Sequence, residues 1–275
     1  MALSPGGSLD VGVYRVISYG GTLSNAAGLT LGTLPTGADR TDYFIQTSVD
    51  KQVNLTYSNG LTLNHWDGGA GPKNNSQVNG GSGTWVAPGG VNDNWTDVGG
   101  KVNAGWNQDA YAVFSGQSGT VLVDSSANGA INVQGMQFAT DGYVLQGNAS
   151  GDKLSLTDAA AGSGSNEATI RVGDGTAAGA GYTATIATVL DGAVKVVKTD
   201  LGTLALSGVN TYTGGTAVNS GTVQVSQDAN LGAASGALSL DGARWPRPRA
   251  STRGARSRWA WATAASMSRR GPTWA

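Results

Sequence analysis

"GTLALSGVNTYTGGTAVNSGTVQVS" occupies residues 202–226 and holds no acid, base, histidine or cysteine. Acid–base work by a carboxylate or imidazole, attack by a thiolate and metal ligation by Asp, Glu, His or Cys therefore have no residues here to work with. Apolar and polar residues alternate across "GTLALS" and again across "GTVQVS". That period of two is the mark of a strand with one buried face. Gly202 and Gly221 open the two strands, and the stretch between them collects Gly and Asn. These residues supply the positive φ angles and the side chain–backbone bonds of tight turns. Asn210 is expected to close a corner by bonding its own backbone, and Gly214–Gly215 to allow a sharp bend. Tyr212 is expected to cover that corner with its hydroxyl in water. Thr203, Thr213, Thr216 and Thr222 suit strand positions because they are β-branched.

Similar pieces recur along the chain, among them "GLTLGTL" (28–34), "VNLTY" (53–57), "GTVLVD" (119–124), "ATIRVGD" (168–174), "YTATIATVL" (182–190) and "GALSLDG" (236–242). Gly accounts for 44 of the 275 residues and charged residues for only 13%, a trade that suits strands joined by many tight turns. No segment carries a helical period. Asn-Gly pairs at 59–60, 79–80 and 128–129 are candidate hairpin turns. Leu204 and Val223 are nineteen residues apart, and Val223 and Leu238 fifteen. Such a spacing, repeated, fits a β-solenoid in which each coil buries its apolar face against the next. An antiparallel sandwich or barrel also gives short strands at close spacing. The number of strands and small residues such as Ala184, Ala187 and Ala205 favour the narrow interior of a coil. The expectation is all-β: a parallel β-solenoid over residues 10–242, with about ten or eleven coils of about 20–24 residues. At roughly 4.8 Å per strand the rod would be about 50 Å long.

Residues 1–243 carry 9 basic and 18 acidic side chains, whereas residues 244–275 carry 8 arginines and no acid; −9 and +8 sum to the overall −1. The last segment, "RWPRPRASTRGARSRWAWATAASMSRRGPTWA", has no Val, Ile, Leu, Phe, Tyr or Asn and four of the eight tryptophans. Without branched aliphatics it does not extend a solenoid. Arginine interleaved with tryptophan suits nucleic acid or an anionic membrane. The abrupt change of composition favours another reading. Residues 243–275 are expected to be a disordered basic tail, the product of a GC-rich gene translated out of frame, and no nucleic-acid partner is expected.

Several kinds of chemistry lack their residues. The chain has no cysteine and one histidine, His65, so disulfides, multi-histidine metal sites and an arguable Ser/His/Asp triad are not expected. "VGDGTAAGAGY" (172–182) lacks the lysine of a phosphate-binding loop and is read as a turn. No cofactor, metal or catalytic residue is expected. "MALSPGGSLDVGVYRV" at the start has neither a basic nor an apolar leader region, so no signal peptide is expected in this sequence.

The segment "KTDLGTLALSGVNTYTGGTAVNSGTVQVSQDANLG" (198–232) resembles the β-strand repeat of bacterial autotransporter passenger domains. "NGGSGTWVAPGGVNDNWTDVGGKVNAGWNQDAYAVFSGQSGTVLVD" (79–124), "VQGMQFATDGYVLQG" (133–147) and "GVYRVISYGG" (12–21) are similar to other passenger segments, so the resemblance covers about 10–242. It implies a pertactin-like right-handed parallel β-helix at a Gram-negative cell surface or in the extracellular space. It also implies an internal passenger piece, without the signal peptide and translocator barrel of the family. Contact with the outer membrane would then run only through that missing barrel. The implied work is adhesion or surface display, without catalysis, toward a host-cell or bacterial surface glycan or protein. Some β-helix proteins act on polysaccharides, which leaves a glycoside hydrolase or lyase as one alternative and a purely structural stalk as another.

Trp66, Trp85, Trp95 and Trp106 lie within the irregularly spaced region 65–118, among Asp67, Asp93, Asp97 and Asp109. Aromatic planes beside carboxylates suit a carbohydrate-binding face, and these four tryptophans are the candidate binding residues. The competing reading has them capping coils or filling corners, with the aspartates as turn residues.

Overall fold

Val121, Leu145, Ile186, Leu206 and Val225 stand in one column, each paired in register with the next across a parallel ladder. The structure is a computed structural model and describes residues 9–89, 92–158 and 166–241. The column runs through six parallel strands ordered Thr222–Val225, Thr203–Leu206, Thr183–Ile186, Val144–Gly147, Thr120–Asp124 and Gly83–Val86. Strand alternation puts Leu204 and Leu206 on the inner face and Thr203 on the outer one. Thr183, Thr203 and Thr222 accordingly form a second column on the other side of the sheet.

A second sheet stacks Ala110–Phe114, Ile131–Phe138, Glu167–Val172, Lys195–Thr199, Thr216–Val218 and Leu238–Leu240, all parallel. The first half of Ile131–Phe138 also pairs with Lys153–Leu156, which pairs with Val189–Asp191. From residue 195 onward the chain alternates between the two main sheets: Lys195–Thr199, Thr203–Leu206, Thr216–Val218, Thr222–Val225, Leu238–Leu240. Lys198 therefore faces Val218, and Leu204 faces Val223. The interior between the sheets is one cluster of buried apolar residues reaching from Trp66 to Leu231.

The all-β reading and parallel sheets are present, and several finer expectations change. Residues before 105 hold all the antiparallel pairing among the described residues. Gly12–Ser18, Gln52–Tyr57 and Tyr43–Gln46 make a three-stranded antiparallel sheet, and Trp95–Thr96 pairs antiparallel with both Leu63–Trp66 and Asn103–Ala104. The first parallel sheet is six strands deep, about 24 Å at roughly 4.8 Å per strand. The longer expectation assumed even spacing, but Gly83 pairs with Val121 and Val144 with Thr185, so long excursions use up chain. None of the three Asn-Gly pairs joins strands that pair with each other. Asn128 instead ends the short helix Ser125–Asn128, which Asp124 caps through the N–H groups of Ser126 and Ala127. Ala184 is interior, but Ala187 and Ala205 face outward, and Ile186, Leu204 and Leu206 fill the space. The basic tail lies outside the described residues.

Lys198 breaks the pattern from within. It sits in register between Ile170 and Val218, both core residues, and is fully buried. Its ammonium donates to the carbonyls of Thr199 (2.7 Å), Asp200 (2.8 Å) and Ser220 (3.2 Å) at the sheet-to-sheet corner. Burial pulls its pKa down to about 7, with Asp200 acting against that shift and Arg171 adding to it.

The antiparallel sheet docks on the outer face of the second parallel sheet. Gln137 supplies what a missing strand would: its Oε1 accepts from Val13 N (2.6 Å) and its Nε2 donates to Val13 O and Gly173 O (both 2.8 Å). The Arg171 guanidinium lies 3.8 Å from the Tyr14 ring centroid and pairs with Asp200 at 3.0 Å, while Arg15 pairs with Asp174 at 2.6 Å. Charge and amide groups that would burden an apolar face here hold two sheets together.

Ile186 and Thr203 occupy opposite faces of neighbouring strands, so their alanine variants separate core from surface. Ile186→Ala is expected to lower unfolding free energy by about 2–5 kcal/mol. Thr203→Ala should change it by no more than about 0.5 kcal/mol. Urea denaturation followed by circular dichroism measures both.

Candidate functional site

The repeat at 202–232 builds its corners from asparagine, but not through local bonds. Asn210 Oδ1 accepts from Leu190 N (2.8 Å), and its Nδ2 donates to Asn230 O (2.6 Å). Asn230 Nδ2 donates to Gly208 O (2.8 Å), and its Oδ1 accepts from Ser226 N and Gln227 N. The expected bond to the residue's own backbone is thus replaced by bonds to the corners before and after it. An amide has both donor and acceptor, so it links two layers at once. Tyr212 is likewise corrected: it is fully buried, and its hydroxyl lies 2.7 Å from Thr216 Oγ1 rather than in water. Gly215 adopts φ +86°, and a Cβ there would stand 2.2 Å from Ala237 O; one on Gly221, at φ +70°, would stand 2.4 Å from Gly202 O. Gly214 and Gly202 are excluded from bearing a side chain by Val194 backbone and Val172 respectively.

Trp66, Trp85, Trp95 and Trp106 converge, but inward. Their exposures are 0, 0, 1 and 2%. Trp85 lies 4.8 Å, edge to face, from both Trp95 and Trp106, and Trp66 lies 5.1 Å from Trp95. Phe114 and Phe138, stacked at 4.9 Å, continue the cluster into the next layers. Trp66 and Trp106 donate their indole N–H groups to Gly81 O and Asn132 O. Rings packed on one another offer no face to a sugar, so the carbohydrate-stacking role does not belong to these four side chains. They close the interior where the parallel sheets begin.

The aspartates among them serve turns. Asp67 is fully buried; its Oδ1 accepts from Asn79 N and its Oδ2 from Asn103 Nδ2, both at 2.8 Å. Asp97 accepts from Gly99 N, and Asp109 from the Thr157 hydroxyl. Lys73 adds a cation to this region, donating to Asp67 O, Gly68 O and Asn94 Oδ1.

The more open feature nearby lies where the antiparallel sheet meets the tryptophan region. A cavity of about 400 Å³ is lined by residues that include Asp42, Phe44, Thr56, Leu61, His65 and Asp97. His65 is fully buried, and burial draws its pKa down to about 4, against the pull of Asp97. Its Nδ1 lies 3.4 Å from Gln46 Nε2, and that amide nitrogen also donates to Val98 O. A carbonyl accepts only, so the Gln46 NH₂ faces the ring, Nδ1 is the acceptor and the proton sits on Nε2. That Nε2–H and the hydroxyl of Thr56, a residue 2% exposed, have no hydrogen-bond partner. Sequence reading passed over this site because Thr56 and Phe44 come from one sheet and His65 from another, with nothing in their spacing to join them.

The passenger-associated-transport-repeat family matches residues 196–225. Over 245 residues, 87% of this chain, the sequence is 46% identical to the adhesin BmaC autotransporter of Brucella suis biovar 1 (strain 1330). By both matches this chain is similar to autotransporter passenger sequence. It spans 7% of that relative's length. No solved structure matches it. In this chain, the matched repeat runs from Lys195–Thr199 to Thr222–Val225 and contains the Asn210 corner.

Two expectations follow for this chain. Asn210→Ala leaves Leu190 N and Asn230 O without their partner, and should cost about 1–3 kcal/mol for each group left buried and unpaired; hydrogen exchange at Leu190 reports the opening. His65 has a depressed folded pKa, so the unfolded chain takes up a proton before the folded one does. Stability should therefore fall as pH drops from 6.5 to about 4, by on the order of 3 kcal/mol at ~1.4 kcal/mol per unit, and flatten below. His65→Gln should remove that slope in urea titrations across the range.

Proposed function

We propose that this chain is a surface-displayed adhesive scaffold whose parallel sheets close into a right-handed β-helix. The single observation carrying this reading is the in-register parallel stack within a sequence that matches a relative named as an adhesin. A stack of this kind gains stability nearly additively and projects loops from a stiff axis, which is what contact at a distance from a membrane requires. Residues 1–242 form the passenger portion, with region 65–118 and the antiparallel sheet as its contact-making part. The stretch 150–240, with few excursions, serves as stalk. Partners are glycans or proteins of a host-cell or bacterial surface. Work of this kind is binding without covalent chemistry, and the outer membrane is reached through a barrel elsewhere in the full-length protein. Residues 243–275 are an out-of-frame tail, which the DNA read in its other frames tests.

Latex beads coated with the purified chain are expected to adhere to epithelial or bacterial cells, saturably and in competition with soluble chain. Adhesion no greater than that of albumin-coated beads would remove the adhesive role. Release of reducing sugar from a polysaccharide panel would replace it with the enzymatic alternative.

A further inference from the structure

We infer that the cavity between the antiparallel sheet and the tryptophan region is a binding site for a neutral saccharide. The inference rests on the adhesive reading and gives it a ligand class. Two residues that line one cavity, His65 and Thr56, each bury a polar group without a partner, Nε2–H and Oγ1. Leaving such groups unpaired is unfavourable, so an occupant carrying both acceptors and donors recovers what the fold gives up. Hydroxyl groups do both.

The rest of the wall fits the same ligand. Asp42 and Asp97 bring carboxylate acceptors, and no lysine or arginine lines the cavity. An anionic ligand would meet two negative charges with no cation to offset them. A metal cation would meet the N–H of His65, whose acceptor nitrogen is already turned to Gln46. The Asp42 and Asp97 Oδ1 atoms are held by Gly60 N and Gly99 N, so both carboxylates are fixed before anything binds. Phe44 is 44% exposed despite its size and gives the mouth an apolar plate for the C–H face of a sugar ring. The volume of about 400 Å³ falls in the roughly 300–1,000 Å³ range of small-molecule sites. An amide chain, Asn54 Nδ2 to Gln46 Oε1 (3.1 Å) and Gln46 Nε2 to His65 Nδ1, fixes the ring orientation in advance. Preorganisation of this sort raises affinity by removing the ordering that binding would otherwise require.

Saturation-transfer difference NMR on the full chain tests this, with methyl glucoside, methyl galactoside, methyl mannoside and N-acetylglucosamine as probes and glucuronate as the charged control. At least one neutral sugar is expected to receive saturation at millimolar concentration, and glucuronate to receive less. Phe44→Ala and Thr56→Val are expected to weaken binding about tenfold, with circular dichroism and thermal midpoint confirming that each variant folds. Affinity should hold constant from about pH 6 to about pH 8, because the histidine remains neutral throughout. No transfer to any neutral sugar, equal binding by Phe44→Ala and the parent, or preference for glucuronate overturns the inference. Bead adhesion separates the two readings. Parent beads that adhere to cells while no neutral sugar binds the parent chain remove the saccharide site and leave the adhesive role standing, whereas sugar binding by the parent chain without adhesion of its beads does the reverse; beads carrying Phe44→Ala are expected to lose adhesion along with sugar binding.

Discussion

Each strand of the parallel sheets takes its backbone hydrogen bonds from chain roughly twenty residues or more away, in register apart from one shift between Val133 and Gly135. Val196 lies opposite Thr216, Thr203 opposite Thr222, Leu206 opposite Val225. This one constraint governs the other choices. In-register parallel pairing places the inner side chain of one layer directly over the inner side chain of the next, so every layer must offer similar volume at the same place. It also aligns the corners. The turn in one layer then has a turn above and below it, and whatever polar groups it exposes must be satisfied along the stack.

The asparagine corners are the consequence. Asn210 and Asn230 bond up and down the stack, acting as backbone where the backbone bends out of the ladder. Lys198 answers the same need differently, putting one ammonium against three corner carbonyls from inside the core. Where the stack begins, among the described residues the second sheet continues only through the short strands Leu63–Trp66, Trp95–Thr96 and Asn103–Ala104. Trp66, Trp85, Trp95 and Trp106 fill the interior there with large rings in mutual contact. An open end of apolar interior and unpaired strand would otherwise invite association.

The antiparallel sheet stands outside that scheme and gives the chain its site. It attaches mainly by side chains: Gln137 imitates a strand for Val13, and Arg171 holds Tyr14, with one backbone bond from Arg15 N to Asp174 O (2.8 Å) beside them. Surfaces joined this way do not interdigitate throughout, and the cavity beside His65 lies at such a seam. Ligand sites favour the junctions between units for that reason. A rigid stack beneath, and a seam with unpaired polar groups above, divide support from recognition.

Much of the stack was legible in residues 202–226. The period of two named the strands, the glycines named the turns, and the spacing of Leu204 and Val223 gave the pairing. Ala187 and Ala205 misled, since a small side chain suits either face of a strand and only the register tells which. The asparagines were identified as corner residues with the wrong partners, because local and interlayer bonds use the same amide. Residue chemistry left the tryptophans open to a surface or a core, and the resemblance, which carries them as recurring motif positions, favoured the structural reading.

The sequence by itself determined that this chain is all-β, which residues alternate, and where it must turn, because alternation and turn chemistry are set by neighbours a few positions apart. The tertiary structure alone decided that the strands before residue 105 include antiparallel pairs, that the tryptophans face inward, and that Thr56 and His65 share a cavity. Those outcomes depend on long-range pairing, and no local preference distinguishes one distant partner from another.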